Sequence, residues 1–289
     1  MVSKYKSKKI AGLPLDKIIA YTVLVLLGIL MVYPLIWLFF ASFKTNENLF
    51  GSTGLLPNKF VWSSYINGWK GTGQLTFGTF FYNTVLMTVP TVLFTVFSSA
   101  IVAYGFARFT FPFKKILFML MISTLMLPSA VIIIPRYMLF RNLHWLDSYL
   151  PFIVPSIFAC YPFFIFMMVQ FFRGLPKELD ESAEIDGCNP FVTFVKILIP
   201  LSKPALFSAA IFQFIWTWND FFNALIYINS VKKFTLSLAL RMSLDTTGGI
   251  TSWNQVIAMS ILTIMPPVLI FFFAQSYFVE GIATTGIKG

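Results

Sequence analysis

The sequence predicts an all-α integral membrane protein with six transmembrane helices, and three observations carry that reading. Only 11% of the 289 residues are charged and 57% are hydrophobic, whereas soluble domains carry about 25% charged residues. The mean hydropathy is +0.79, so the chain lacks the polar surface to cover itself in water. Six apolar segments, 18–40, 80–107, 116–139, 149–172, 205–228 and 255–279, each exceed the roughly 20 residues that a helix needs to cross the hydrocarbon. Inside lipid every backbone N–H and C=O must be satisfied within its own segment, which leaves helices as the solution for such runs.

Taken in order, residues 1–17 read as a basic cytoplasmic segment. The first span, 18–40, is too long for the apolar core of a cleaved signal, and no A-x-A-like site follows it, so it is expected to stay as an anchor. Residues 41–79 make an external loop. A core over 80–279 then holds the other five spans and a cytoplasmic loop at 173–204, and 280–289 is a cytoplasmic tail. Pro34, Pro90, Pro128, Pro162 and Pro266 lie inside apolar segments and are expected to kink or break them. Orientation follows from Lys and Arg. With the N-terminus inside, the pieces 1–17, 108–115, 173–204 and beyond 279 hold thirteen of the twenty-one, in short basic stretches. Both termini and the 173–204 loop are thereby cytoplasmic.

The net charge of +10 is spent on these orientation signals rather than gathered into a nucleic-acid patch. Two cysteines, Cys160 and Cys188, offer no disulfide framework. The one histidine, His144, sits in the turn RNLHWLDS with no second ligand beside it, so no metal site is expected. Neither G-x-S-x-G nor H-E-x-x-H occurs, and the cluster GWKGTG at 68–73 lacks the spacing that cradles phosphates. No catalytic residue and no cofactor of the chain's own emerge. Any ATP chemistry belongs to another chain.

Two stretches carry polar residues where the pattern is otherwise apolar. WTWNDFFNALIYI, 216–228, puts Trp218, Asn219, Asp220 and Asn223 into the fifth span. On a continuous helix the spacings 220/223 and 219/223 share one face, and an acid in a span faces a bundle interior or a water-filled pathway, or else lies at the outer end among headgroups. The second stretch is LPKELDESAEIDGCNPFVTFVKILIP, 175–200. Five of the eleven acids lie between 178 and 186. Pro176 opens a helix, Glu178, Asp180 and Glu181 suit its positive end, and Leu175, Leu179 and Ala183 form a narrow apolar stripe read as a docking face. Gly187 ends that helix, and after Asn189–Pro190 a second one turns Phe191, Phe194 and Leu198 to one side until Pro200 stops it.

ESAEIDGCNPFVTFVKILIP resembles the EAA loop of ABC-importer permeases, whose pattern is E-A-A-x-x-x-G, nine residues, then I-x-L-P. Glu181, Ala183, Gly187, Ile197 and Pro200 fall in register, with Ser182 for the first Ala and Ile199 for the usual Leu. YPLIWLFFASFKTNENLF, SSAIVAYGFARFTFPFK, WTWNDFFNAL and YFVEGIATTGIKG extend the similarity, to MalG-type sugar permeases, over nearly the whole chain. The resemblance implies a type I importer permease fold. It implies a MalF-like second permease, a cytoplasmic ABC ATPase dimer carrying ATP and Mg, an extracytoplasmic solute-binding protein, and import of a carbohydrate of the oligosaccharide class by alternating access. It makes Leu179, Glu181, Ser182, Ala183, Asp186, Gly187, Ile197 and Pro200 the ATPase-coupling loop, and Thr285, Gly286 and Lys288 a tail reaching the ATPase. Trp218, Asn219, Asp220 and Asn223 are read as lining or bordering the translocation pathway on their own chemistry, since burying such polar groups against lipid is costly. The alternative is a secondary sugar porter or channel without an ATPase, which calls for ion-binding acids near the midplane and matched broken helices.

Overall fold

The computed structural model describes residues 9–10, 13–51, 54–71, 75–244 and 252–286, with side chains from Leu15 to Gln275 within those ranges. Among them the architecture is helical apart from a two-residue antiparallel ladder, Lys9–Ile10 against Leu13–Pro14. Four helical stretches are long and apolar enough to span: α1 (Leu15–Ala41), α4 (Phe77–Arg108), Leu150–Gly174, and the helix beginning at Trp253. Two bent pairs raise the total to as many as six: Lys114–Thr124 with Ser129–Asn142, bent by 102°, and Pro190–Leu201 with Lys203–Trp218, bent by 76°.

The prolines divide into two groups. Pro34, Pro90 and Pro266 sit inside helices that continue past them. Pro128 stands at the break between α5 (Lys114–Thr124) and α6 (Ser129–Asn142), and Pro162 opens α8 (Pro162–Gly174) after α7 (Leu150–Ile157) has ended. A proline restrains the residue before it from helical geometry and removes one donor, so the 116–139 and 149–172 segments are each two helices rather than one.

The chain forms two compact units, residues 1–70 with 246–262, and 71–245 with 263–289. In the first, Ala41, Leu49 and Ile257 are buried together, and Phe43 sits among Phe60, Trp62 and Tyr65 with ring centroids 4.9–5.5 Å away. Short α2 (Asn46–Gly51) and α3 (Ser63–Lys70) supply part of this packing, and Asn254 Nδ2 donates to Ser64 Oγ at 3.0 Å. The buried Lys44 donates through Nζ to the carbonyl of Gly54.

The second unit is organised around α4. Thr84, Thr88, Thr91, Thr95 and Ser99 are fully buried and recur every three or four residues, so one face of a lipid-soluble helix is made of small side chains. Lipid tails are as apolar as Leu and give helices no reason to associate, so close approach over small residues supplies the attraction instead. Thr84 and Thr91 return their hydroxyls to the carbonyls of Phe80 and Met87, at 2.9 and 2.7 Å. At the end of α4 that carries Tyr104 and Arg108, the core contains Ala100, Ala103, Met168, Val169, Phe172, Phe194 and Leu198. At the other end, Met87, Phe140, Phe152, Tyr227 and Leu238 pack together.

There the turn 143–149 is tied to the segment after Tyr227. Asp147 accepts from Ser230 Oγ at 2.6 Å, from the Ser230 and Asn229 N–H groups at 2.8 and 3.0 Å, and from Lys233 Nζ at 3.1 Å. The Ser230 hydroxyl foremost, then its N–H, Lys233 and Asn229, hold the Asp147 carboxyl well below the usual carboxylate range. A depressed folded pKa stabilises above the unfolded value near 4 and loses its effect as pH falls through the folded one. Asp147→Ala should therefore lower the thermal midpoint of the detergent-solubilised protein by a few degrees at pH 7, and the gap to wild type should stay constant down to about pH 4. A gap that closes between pH 7 and 5 would contradict this account.

Candidate functional site

The acid-rich loop folds as two helices joined by a turn specified on both sides. The first, α9 (Glu178–Ile185), starts after Lys177, two residues later than Pro176 suggests. Its end is a Schellman closure: Gly187 N–H donates to Glu184 C=O at 3.0 Å and Cys188 N–H to Ala183 C=O at 2.9 Å, with Gly187 at φ +78°. Asn189 then caps the second helix, α10 (Pro190–Leu201), its Oδ1 accepting from Val192 N–H at 2.9 Å, with Pro190 as first residue. Pro200 does not stop α10. The helix widens to a π turn over Phe194–Leu198 and closes one residue beyond the proline. Pro200 cannot donate to the carbonyl four residues back and its ring crowds that carbonyl, which a wider turn relieves.

The docking-face expectation for Leu179 and Ala183 is overturned. Ala183 is 3% exposed within this chain alone and Leu179 is half-buried, so the stripe faces inward. The open side of α9 carries Glu181, Ser182, Ile185 and Asp186, with Ile185 86% exposed. Phe191 is also corrected. It is 73% exposed, while Phe194 and Leu198 are buried as expected. The four-residue turn 186–189 reorients the second helix and leaves Phe191 exposed, like Ile185.

Two residues of α4, not singled out by sequence, hold this loop. Arg108 Nε lies 2.9 Å from Asp180 Oδ2, and its Nη2 donates to the carbonyls of Leu175 and Pro176 at 3.1 and 3.4 Å. The Arg108 side chain is only 8% exposed. Tyr104 donates to Pro190 C=O at 3.1 Å and stacks on Phe194 with centroids 4.9 Å apart. Arg108 thus grips the start of the loop and Tyr104 the start of its second helix. The available signal was position, since a cation at the C-terminal end of a span faces an acid-rich loop on the same side.

The fifth apolar segment is not one helix. α11 (Lys203–Trp218) ends at Trp218, Asn219 caps it, and α12 (Phe222–Tyr227) begins anew. Asp220 makes the break, its carboxylate accepting from Asn223 N–H at 3.0 Å and from Asn223 Nδ2 at 2.8 and 3.1 Å. Short polar side chains that capture backbone donors in this way compete with helix. The shared face expected for Asn219 and Asn223 therefore does not exist. Asp220 and Asn223 line a cavity of about 180 Å3 together with Arg136, Gln213, Trp216 and Tyr227. Trp218 is buried elsewhere, donating from Nε1 to Thr263 C=O at 3.0 Å, and Asn219 is exposed with Nδ2 on Ile215 C=O. Arg136, a cation inside the third apolar segment, went unnoticed although charge at membrane depth is itself a signal.

The helix α14 (Trp253–Gly286), with α13 (Leu236–Leu244) before it, runs on through Thr285 and Gly286, and Lys288 lies outside the described residues. No group of three His, Cys, Asp or Glu able to hold a metal occurs among the described residues.

The family described as binding-protein-dependent transport system inner membrane component matches residues 96–284. The arabinooligosaccharide transport system permease AraQ of Bacillus subtilis is 34% identical, over 91% of this chain and 93% of its own. The probable ABC transporter permease YurM of the same organism is 32% identical over 90% and 85%. The sn-glycerol-3-phosphate permease UgpE of Yersinia pestis is 32% identical over 90% and 94%. A chain from the crystal structure of a bacterial ABC transporter involved in alginate import shares the fold, with TM-score 0.79 over 91% of this chain and 96% of that one, at 23% identity. An importer permease of this kind works in general with a second permease, an ATPase and a binding protein, and it is a membrane-embedded transport component, not an enzyme. The chain belongs to the binding-protein-dependent transport system inner-membrane component family.

Proposed function

We propose that the chain is one of the two membrane-spanning subunits of an ATP-driven carbohydrate importer, and that residues 178–200 couple it to the ATPase. One observation carries the coupling role. An exposed apolar pair, Ile185 and Phe191, flanked by Glu181, Ser182 and Asp186, is presented on a turn gripped from behind by Arg108 and Tyr104. A solvated linker needs neither the grip nor the exposed hydrophobics. A docking element needs both. Ile185 and Phe191 offer buried area to the partner, and the acids set orientation more than affinity.

The carbohydrate assignment is supported by the names of the relatives, one of which moves arabinooligosaccharides and another glycerol phosphate. Import by alternating access follows in this reading from a partner ATPase, holding ATP and Mg, that closes and turns the pathway outward toward a binding protein. Gly187 and Lys114 then lie on the cytoplasmic side, and His144 and the loops holding Thr53 and Asp245 outside, with Thr53 and Asp245 themselves beyond the described residues. The tail that includes Thr285, Gly286 and Lys288 extends toward the ATPase in the same scheme.

The test is a cysteine at Ile185 paired with cysteines lining the cleft of the cognate ATPase, in membranes that take up sugar. Crosslinking should be efficient and its yield should change on adding ATP. Reporter fusions after Gly187 and Lys114 should read as cytoplasmic and one after His144 as external. No crosslink at any cleft position, or an external signal at Gly187, would overturn the coupling role.

A further inference from the structure

The cavity between α6, α7, α11 and α12 has no task in the coupling scheme. Its lining is unusually polar for a bundle with this composition. Gln213 is 3% exposed and gives Nε2 to Thr217 Oγ1 at 2.7 Å, which leaves its Oε1 buried with no partner. The Tyr227 hydroxyl is likewise buried without a well-formed hydrogen bond, beside the Arg136 guanidinium. Arg136 and Asp220 both border the space, yet the ion pairs within 4.0 Å among the described residues are Arg108–Asp180 and Lys233–Asp147. The two opposite charges therefore face the cavity without closing on each other. Trp216 and Tyr161 add aromatic surface to the wall.

We propose that this cavity is a subsite for a single neutral sugar ring, held within this subunit on the translocation pathway. The inference rests on the carbohydrate reading above and deepens it. Four features select the guest. An apolar occupant would leave Gln213 Oε1 unpaired in a dry site, a cost that a polyol removes because each of its hydroxyls both donates and accepts. The Asp220 carboxylate accepts from hydroxyls and the Arg136 guanidinium donates to them, so the charges serve one neutral guest, whereas an anion would confront Asp220 and a cation Arg136. Aromatic surface suits the C–H side of a sugar ring, and Trp216 and Tyr161 supply it in the wall. The size is also limiting. At about 180 Å3 the space is below the roughly 300 Å3 at which pockets enclose a drug-sized ligand, so it admits one ring of a chain and not a whole oligosaccharide. Depth agrees, because Gln213 lies ten residues beyond Lys203 on α11, about 15 Å along the axis, which is half of a hydrocarbon core of about 30 Å.

The experiment uses the full complex with its ATPase and binding protein in proteoliposomes, after Cys160→Ser and Cys188→Ser. Pro151→Cys, and separately Asn223→Cys, both at positions lining the cavity, is reacted with a small methanethiosulfonate reagent. The probes are arabinotriose, maltotriose, glycerol 3-phosphate and a short oligouronate, each at millimolar concentration, with uptake measured in parallel. At least one neutral trisaccharide should slow modification severalfold at both positions. Arg136→Leu and Gln213→Leu should each cut uptake of that sugar about tenfold at saturating binding protein, the loss of roughly one hydrogen bond to the ring. Protection by glycerol 3-phosphate or the oligouronate alone would overturn the neutral-ring assignment. Uptake without protection by any probe would mean that the cavity holds only water and that the subsite is wrong. Neither uptake nor protection of any probe would remove the carbohydrate reading along with it.

Discussion

Arg108→Ala is expected to abolish coupled uptake while leaving the permease inserted and paired. The substitution removes the ion pair to Asp180 and both carbonyl contacts at Leu175 and Pro176, and it leaves a half-buried carboxylate without its partner. Losing one member of such a pair costs about 2–3 kcal/mol, concentrated at the one point where α4 meets the start of the loop. The ATPase would still find α9, but closure would swing a loosened element instead of pulling on the membrane core. Uptake in proteoliposomes should fall below a tenth of wild type, and loaded binding protein should no longer stimulate hydrolysis. Asp180→Asn should do less, because Arg108 keeps its two carbonyls. Equal damage from Asp180→Asn and Arg108→Ala would mean that the ion pair alone matters, and wild-type uptake by Arg108→Ala would show that the grip transmits nothing.

Gly187→Val should be nearly as severe, for a different reason. No atom lies within 4 Å of the position a Cβ would occupy, so the turn has space for a side chain. The obstacle is φ +78°, a left-handed geometry that costs an L-residue about 1–2 kcal/mol and a β-branched one more. Valine would drive the backbone elsewhere and break the hydrogen bonds to Glu184 and Ala183, so the exposed Ile185 and Phe191 would lose their fixed relative placement. Asparagine tolerates the same geometry, so Gly187→Asn should retain a substantial part of the uptake that Gly187→Val loses. If the two variants transport alike, the left-handed turn is not what matters at this position.

How much was legible in the sequence can be judged from particular residues. The apolar runs foretold the membrane architecture because each is long and hydrophobic on its own, a property no neighbour can alter. The Gly187 turn and the Asn189–Pro190 helix start were legible for the same reason, since caps are settled by bonds within a few residues. The breaks were less so. Asp220 looked like a member of a helix face because periodicity assumes a continuous helix, and a side chain that captures Asn223 N–H ends one. The stripe Leu179–Ala183 was correctly found and wrongly aimed. An apolar face must be buried, but its sequence does not say whether this chain or another buries it. Arg136 and Arg108 are flagged in the sequence only as cations in and at the end of a span, whereas their relation to Asp220 and Asp180, 84 and 72 positions away, exists only in the fold.

The turn at 186–189 has one further consequence. Its hydrogen bonds join residues no more than five apart, Cys188 to Ala183, Gly187 to Glu184 and Val192 to Asn189, so its shape does not wait for the ATPase. Ordering a flexible segment at the moment of docking would cost free energy for each residue fixed, and a loop that arrives already shaped avoids that charge against affinity. Assembly of the importer should accordingly resemble the meeting of two finished surfaces, with its rate set by encounter and orientation instead of by folding on the partner. On the coupling role proposed above, the same economy would operate in every transport cycle, because a loop that never has to refold could follow the ATPase without delay as it opens and closes.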